Sequence, residues 1–395
     1  MTGILKHWRI ISLARVLVLV VLSAVVMTTE TTAQNANTKH AGNPLLEIYG
    51  FVMLDAGYQG GQNHPDWFDV VRPTKLESFE DEFGRDGHTY AGVRQTRFGA
   101  KSFLETDLGE LFTQFEWELF GTGVDAGQTT LRLRHAYGQI GNFGAGQYWS
   151  PFMDIDVFPN SIEYWGPNGM AFFRNVQIRY MPVKGESRVT LALERPGASA
   201  DQGRFEDRIE LDNVRGRFPW PDFSAEARYG QPWGYVELAG IIRPMKWDDL
   251  LPNDAFDLSG DDLGWGVSLS SNLKPWSWTT LRLQVVGGEG VQNYMNDAPA
   301  DVGIVFNPGS VTRPIEGKAL GMLGWVAFVD LQWSKLFSTS LGYSRLDIDN
   351  TEGQSDNAFK SGQYALLNLL YYPATNMMVG GEVQWGRRDN AFDGF

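Results

Sequence analysis

The chain has 395 residues, no cysteine and a formal charge of −14. Without cysteine there is no disulfide scaffold, no thiolate zinc site and no thiol nucleophile. The acidity argues against a nucleic-acid partner, because phosphate binding draws on a basic surface.

Residues 1–33 read as an export signal. Lys6, His7, Arg9 and Arg15 make a basic start, residues 16–27 an apolar core, and Thr31, Thr32 and Ala33 a run of small residues ahead of a cleavage point after Ala33. A membrane anchor is the alternative, but the apolar run falls short of the roughly 20 residues a spanning helix needs. Removing this segment takes three of the 33 basic and one of the 47 acidic residues, which leaves a formal charge of −16. Beyond it no apolar run approaches about 18 residues, so any crossing of a membrane has to be made by strands. A short polar leader, 34–43, separates the signal from one continuous domain at 44–395.

Within that domain the strand candidates come in order at 46–58, 91–104, 110–121, 129–140 and 145–150. They continue at 174–182, 188–195, 223–229, 234–243 and 263–271, and then at 277–288, 318–334, 338–348, 363–372 and 377–387. Short turns such as 106–109, 141–144, 184–187 and 373–376 alternate with long polar connections. That alternation is the mark of an outer-membrane barrel. The candidates number fifteen, whereas single-chain bacterial barrels have even counts. The expectation is a sixteen-stranded antiparallel barrel whose closing strand is absent from the chain, since 389–395 lack alternation.

Side chains alternate across a strand, so each candidate has two faces. Phe115, Trp117 and Leu119 oppose Gln114, Glu116 and Glu118; Val176, Ile178 and Tyr180 oppose Asn175, Gln177 and Arg179. Leu131 and Leu133 oppose Arg132 and Arg134, Phe98 opposes Arg97 and Lys101, and Leu281, Leu283 and Val285 oppose Arg282 and Gln284. Buried unpaired charge costs several kcal/mol, so the charged faces need water. The fold class expected is therefore all-β, a transmembrane barrel with its apolar face to outer-membrane lipid and an aqueous lumen. A soluble sandwich or propeller would leave the alternation of turn and loop unexplained.

The connection 151–173 carries Asp154, Asp156 and Glu163 together with Phe152, Phe158, Tyr164 and Trp165. Left in solvent, so many aromatics would be costly, so the loop is expected to fold inside the barrel. Its carboxylates would face Arg97, Arg132, Arg134 and Arg179 across a transverse field that selects by charge and size. Lys101, Glu116, Glu118, Arg174 and Arg282 complete the pore-lining candidates. By parity with Leu133, His135 should face lipid or a neighbouring subunit. The five histidines have no metal-ligand spacing, and neither cofactor nor metal site is expected.

The run from Gly146, Gln147, Tyr148 and Trp149 through Ser150, Pro151, Phe152 and Met153 to Asp154, Ile155 and Asp156 resembles the signature of the DcaP-like outer-membrane porins. So do Pro159 and Asn160, the stretch from Tyr164 to Met170, and that from Phe173 to Tyr180; weaker similarity extends over most of the chain. The resemblance implies a sixteen-stranded homotrimeric channel for small, mostly anionic solutes, dicarboxylates among them, with the third extracellular loop folded inward. The leader 34–43 is too short for the coiled-coil extension that some members carry.

Two rivals belong to other classes. An outer-membrane enzyme would need a nucleophile and base on one face, and no spacing supplies them; Asp154 and Asp156 are an i,i+2 pair of a common kind. A secreted carbohydrate-binding β-protein would account for the aromatics and acids but not for the charged faces. Calcium on the acidic loops 248–261 or 347–356 is the lesser reading beside plain solvation.

Overall fold

The computed structural model describes residues 23–27, 45–251 and 255–395. The strands, in order, are β1 (Ser23–Met27), β2 (Leu45–Gln59), β3 (His88–Gly92), β4 (Arg97–Thr106), β5 (Gly109–Phe120), β6 (Thr129–Ile140) and β7 (Phe143–Trp149). Next come β8 (Arg174–Val183), β9 (Arg188–Glu194), β10 (Val214–Arg217), β11 (Asp222–Gln231), β12 (Gly234–Asp249), β13 (Gly260–Trp276) and β14 (Thr279–Glu289). The last are β15 (Val302–Phe306), β16 (Ile315–Ala319), β17 (Gly321–Gln332), β18 (Phe337–Asp349), β19 (Phe359–Ala374) and β20 (Met377–Asn390).

Antiparallel pairing runs from β2 through β4 to β9, on to β11 through β14, and then to β17 through β20. These fifteen strands are the fifteen read in the sequence. The seam between β2 and β20, expected to lack a strand, is bridged by β1. It runs antiparallel to both, with Ala24 opposite Leu54 and Ser23 opposite Gly380. The bridging strand thus comes from the stretch read as export signal. The cleavage point after Ala33 and the leader 34–43 lie outside the described residues.

The wall has the two faces that alternation demands. On β8, Ile178 is 64% exposed on the outside while Gln177 beside it is 3% exposed on the inside. At the rim of short turns Trp276, Trp278 and Trp333 stack along the outer surface, with ring centroids 5.7 and 6.2 Å apart. Such rings favour the level of the lipid headgroups. The long connections gather at the other rim, where β3 extends the edge of β2, β10 that of β12, and β15 and β16 form a separate hairpin.

The lumen is not polar throughout. Val326 and Phe328 on β17 and Tyr364, Leu366 and Leu370 on β19 turn apolar surface inward. Val157, Ile162 and Met170 of the loop 150–173 cover it. This is why the loop crosses the barrel: each of the two apolar surfaces is the other's burial partner.

Candidate functional site

The inserted loop leaves the wall after β7 and returns at β8, its neck closed by the Ser150 N–H donating to Phe173 O at 3.0 Å. Inside a barrel its backbone donors need acceptors, and the wall supplies them. Glu382 takes the N–H groups of Ile162 and Glu163 at 2.8 and 3.1 Å; Ser344 takes that of Gly169 at 2.8 Å, and Gln284 that of Ala171 at 3.0 Å. Gly169 has to be glycine, because a Cβ there would stand 2.2 Å from Arg345 O and 2.6 Å from Trp325 O. The loop is thereby bonded to the wall over much of its length.

Opposite it, β4, β5 and β6 and the start of β8 bring four guanidinium groups around two carboxylates. Arg134 donates from Nε to Glu116 at 2.5 Å and from Nη1 to Glu118 at 2.6 Å. Glu118 is also approached by Arg97 at 3.3 Å, Arg132 at 3.5 Å and Arg174 at 3.8 Å, and Tyr164 of the loop donates its hydroxyl to it. Counted as charges, two guanidinium groups remain uncompensated within this cluster. A cavity of about 590 Å³ lies between the cluster and the loop. Arg97, Arg132, Arg134 and Arg174 line one side of it, and Phe158, Glu163, Tyr164 and Trp165 the other.

The predicted residues divide into three groups. Arg97, Arg132, Arg134, Arg174 and Glu163 line the cavity, with Glu116 and Glu118 buried behind the arginines. Asp154 and Asp156 do not face that basic wall, contrary to expectation. Asp154 is buried on the far side, accepting from Arg228, Tyr235 and Ser270 at 2.6 Å each, and Asp156 meets the same Arg228 at 2.5 Å. The loop reaches that wall first, so these carboxylates anchor it there. Arg179, Arg282 and Lys101 point inward but lie away from the cavity. Arg179 stacks beside Tyr137 and Tyr148, Arg282 pairs with Asp330 at 2.5 Å, and Lys101 sits 4.7 Å above the ring of Tyr49.

His135 also departs from expectation. Trp117 pairs with Leu133 and Glu116 with His135, so Arg134 is an extra residue in the ladder. This bulge resets the parity of β6. His135 is buried inside, 4.8 Å from the rings of both Tyr148 and Trp149.

Glu163 is enclosed by the loop that carries it together with Val71 of the connection after β2 and Tyr364 of β19. Burial pushes its carboxyl up to about 8, against the pull of backbone donors such as the Gly166 N–H, and nearby Glu382 pushes in the same direction. Arg228 and Glu237, which hold the anchoring wall together at 2.5 Å, went unread in the sequence, as did Arg72 and Asp297. The alternation of β11 and β12 puts Arg228 and Glu237 inside, and that was the available signal; Arg72 and Asp297 lie in loops, where no such signal exists.

A strand ring with a girdled apolar exterior, an inserted loop and a charged internal constriction defines an outer-membrane channel of the porin class. The chain belongs to the DcaP outer membrane protein family, whose model matches residues 31–297. The fold is similar to that of the outer membrane channel DcaP of Acinetobacter baumannii, at 20% identity and a TM-score of 0.73 over 90% of this chain and 96% of that one. An anion-selective porin from Comamonas acidovorans matches at 10% identity and a TM-score of 0.56, over 89% and 92% of the two chains. The in-vitro folded trimer form of OmpT, an outer membrane protein of Vibrio cholerae, matches at 12% identity and 0.50, over 89% and 90%. No curated protein matches the sequence. The family and these neighbours are outer-membrane proteins and channels rather than enzymes, and the location that follows is the outer membrane.

Proposed function

We propose that this channel passes small anionic solutes, dicarboxylates among them, by passive diffusion. One observation carries the reading: four arginines around two glutamates, with the surplus positive charge at the wall of the cavity. Arg97 and Arg132 remain about a quarter exposed in their side chains, so they can meet a solute. Guanidinium holds its charge at any working pH and pairs bidentately with carboxylate. Two surplus charges suit a dianion. The anion-selective porin of the same fold supports the sign.

We further infer a homotrimer set in outer-membrane lipid, associating through its barrel walls, and export directed by residues 1–33. The exposed apolar outer face supports the lipid contact, and the trimer form of a fold neighbour supports the assembly.

Flux into proteoliposomes tests the solute class. A linear dicarboxylate should enter fastest, a neutral polyol of the same length more slowly, and the matching diamine slowest. The reverse order would refute the proposal.

A further inference from the structure

Behind the constriction, three segments that are far apart in the chain meet at one side chain. The guanidinium of Arg72, in the long connection after β2, lies over two indoles that meet edge to face with ring centroids 4.8 Å apart, 4.1 Å from the ring of Trp67 and 3.9 Å from that of Trp165. Its Nε donates to Asp297 Oδ1 at 2.9 Å, and its Nη2 stands 2.8 Å from the same oxygen. Asp297, in the connection after β14, also accepts the N–H of Thr74 at 2.9 Å and its hydroxyl at 2.5 Å. Arg72, Trp67 and Asp297 are all buried, and a cation stacked on aromatic faces is held most firmly where water is excluded.

Trp165 belongs to the inserted loop and lines the cavity. Its Nε1 donates to Asn296 O at 2.9 Å, while Asn296 Nδ2 donates to Trp165 O at 2.6 Å and to Pro167 O at 2.9 Å. The backbones are joined as well: Asn296 N donates to Met170 O and Phe172 N to Tyr294 O, both at 2.9 Å. Among the described residues that line the cavity, Trp165 and Asn296 are present and Arg72 is not. The narrow part of the channel is therefore an assembly of three loops, with a clamp that does not itself line the cavity.

We propose that Arg72 is the positioning residue that sets the size limit of this channel, acting through Trp165. Its planar cation lies over both indoles at once and holds their edge-to-face contact, and its pairing with Asp297 ties that pair to the third loop. Removing it lets Trp165 swing away and widens the passage without changing a charge that lines it. The inference holds whichever sign of solute the channel prefers.

The test uses the double variant R72L with D297N, which keeps the charge balance, reconstituted as folded barrels selected by heat-modifiable gel mobility. Liposome swelling should show a disaccharide entering several-fold faster, relative to a monosaccharide, than in the wild type. Single-channel conductance should rise, while the anion-to-cation permeability ratio stays at the wild-type value. Arg72→Lys, which keeps the charge but lacks the flat stacking surface, should fall between the two. An unchanged size limit and conductance in the folded double variant would overturn the proposal. So would an altered permeability ratio with the size limit unmoved. If that variant does not fold, Trp67→Leu tests the same clamp at a residue that does not line the cavity; it should widen the channel, and an unaltered size limit there would overturn the proposal equally.

Discussion

Leu133 and His135 stand two residues apart on β6 and face opposite sides of the wall. Leu133 is exposed on the outside, and His135 is buried against Tyr148 and Trp149 within. The bulge at Arg134 makes this possible, and it also sets that guanidinium between Glu116 and Glu118. The basic wall therefore depends on a break in the regularity of the strand that carries it.

Arg134→Met should be the costliest single change in the cluster. It leaves two buried carboxylates short of their main partner, a loss of about 3–5 kcal/mol. The urea midpoint of the folded barrel in detergent should fall accordingly. Arg132→Gln, partly exposed and 3.5 Å from Glu118, should cost no more than about 1 kcal/mol. Equal midpoints for the two variants would mean that the arrangement around Glu118 is wrong.

Asp154 roots the inserted loop through Arg228, Tyr235 and Ser270. Asp154→Asn keeps the size of the side chain and removes the charge that Arg228 pairs with. Single-channel recordings should then show more frequent current fluctuations, as the start of the loop works free. Charge selectivity should hold, since Asp154 lies away from the basic wall. A quiet channel with altered selectivity would place Asp154 in the passage instead.

Glu163 gives the loop a pH dependence. Its carboxyl is raised to about 8 in the fold, from an ordinary value near 4.5. A carboxyl raised on folding contributes stability that is fully present below about 4.5 and lost as pH rises through about 8. Thermal midpoints should therefore fall between these limits, by at most about 1.4 kcal/mol of stability per pH unit. Glu163→Gln should flatten the profile. An unchanged slope in that variant would assign the titration to another group.

Much of the fold was legible because alternation is a local property. The faces of 110–121 and 174–182 follow from counting residues, and Phe115, Ile178, Glu118 and Gln177 lie where counting puts them. Counting failed at His135, since a bulge inserts a residue without marking its composition. For the inserted loop, aromatic content gave its inward course but not its bearing within the barrel. Parity says which face a residue takes, not which of the other strands lies opposite. The partner of Asp154 is Arg228, 74 residues on, and that of Arg72 is Asp297, 225 residues on. Such pairings are set by closure of the whole ring.

The seam between β2 and β20 is the weakest joint in the wall, since β1 contributes four paired positions on each side. Cleavage after Ala33 would take this strand away with the export signal. Of the amides at 51–54 and 377–380, those that face β1 should then exchange with deuterium well before those pairing β12 with β13. Equal protection at both places would show that the seam is covered in the mature barrel.

The reversal potential of wild-type channels in a planar bilayer under a potassium chloride gradient tests the central claim most directly. The surplus of guanidinium at the cavity predicts that chloride passes more readily than potassium. Arg132→Gln should lower that preference roughly fivefold, the effect of about 1 kcal/mol from one charge at 4 Å in a wetted passage. A wild-type potential of the opposite sign, with potassium the favoured ion, would contradict the account.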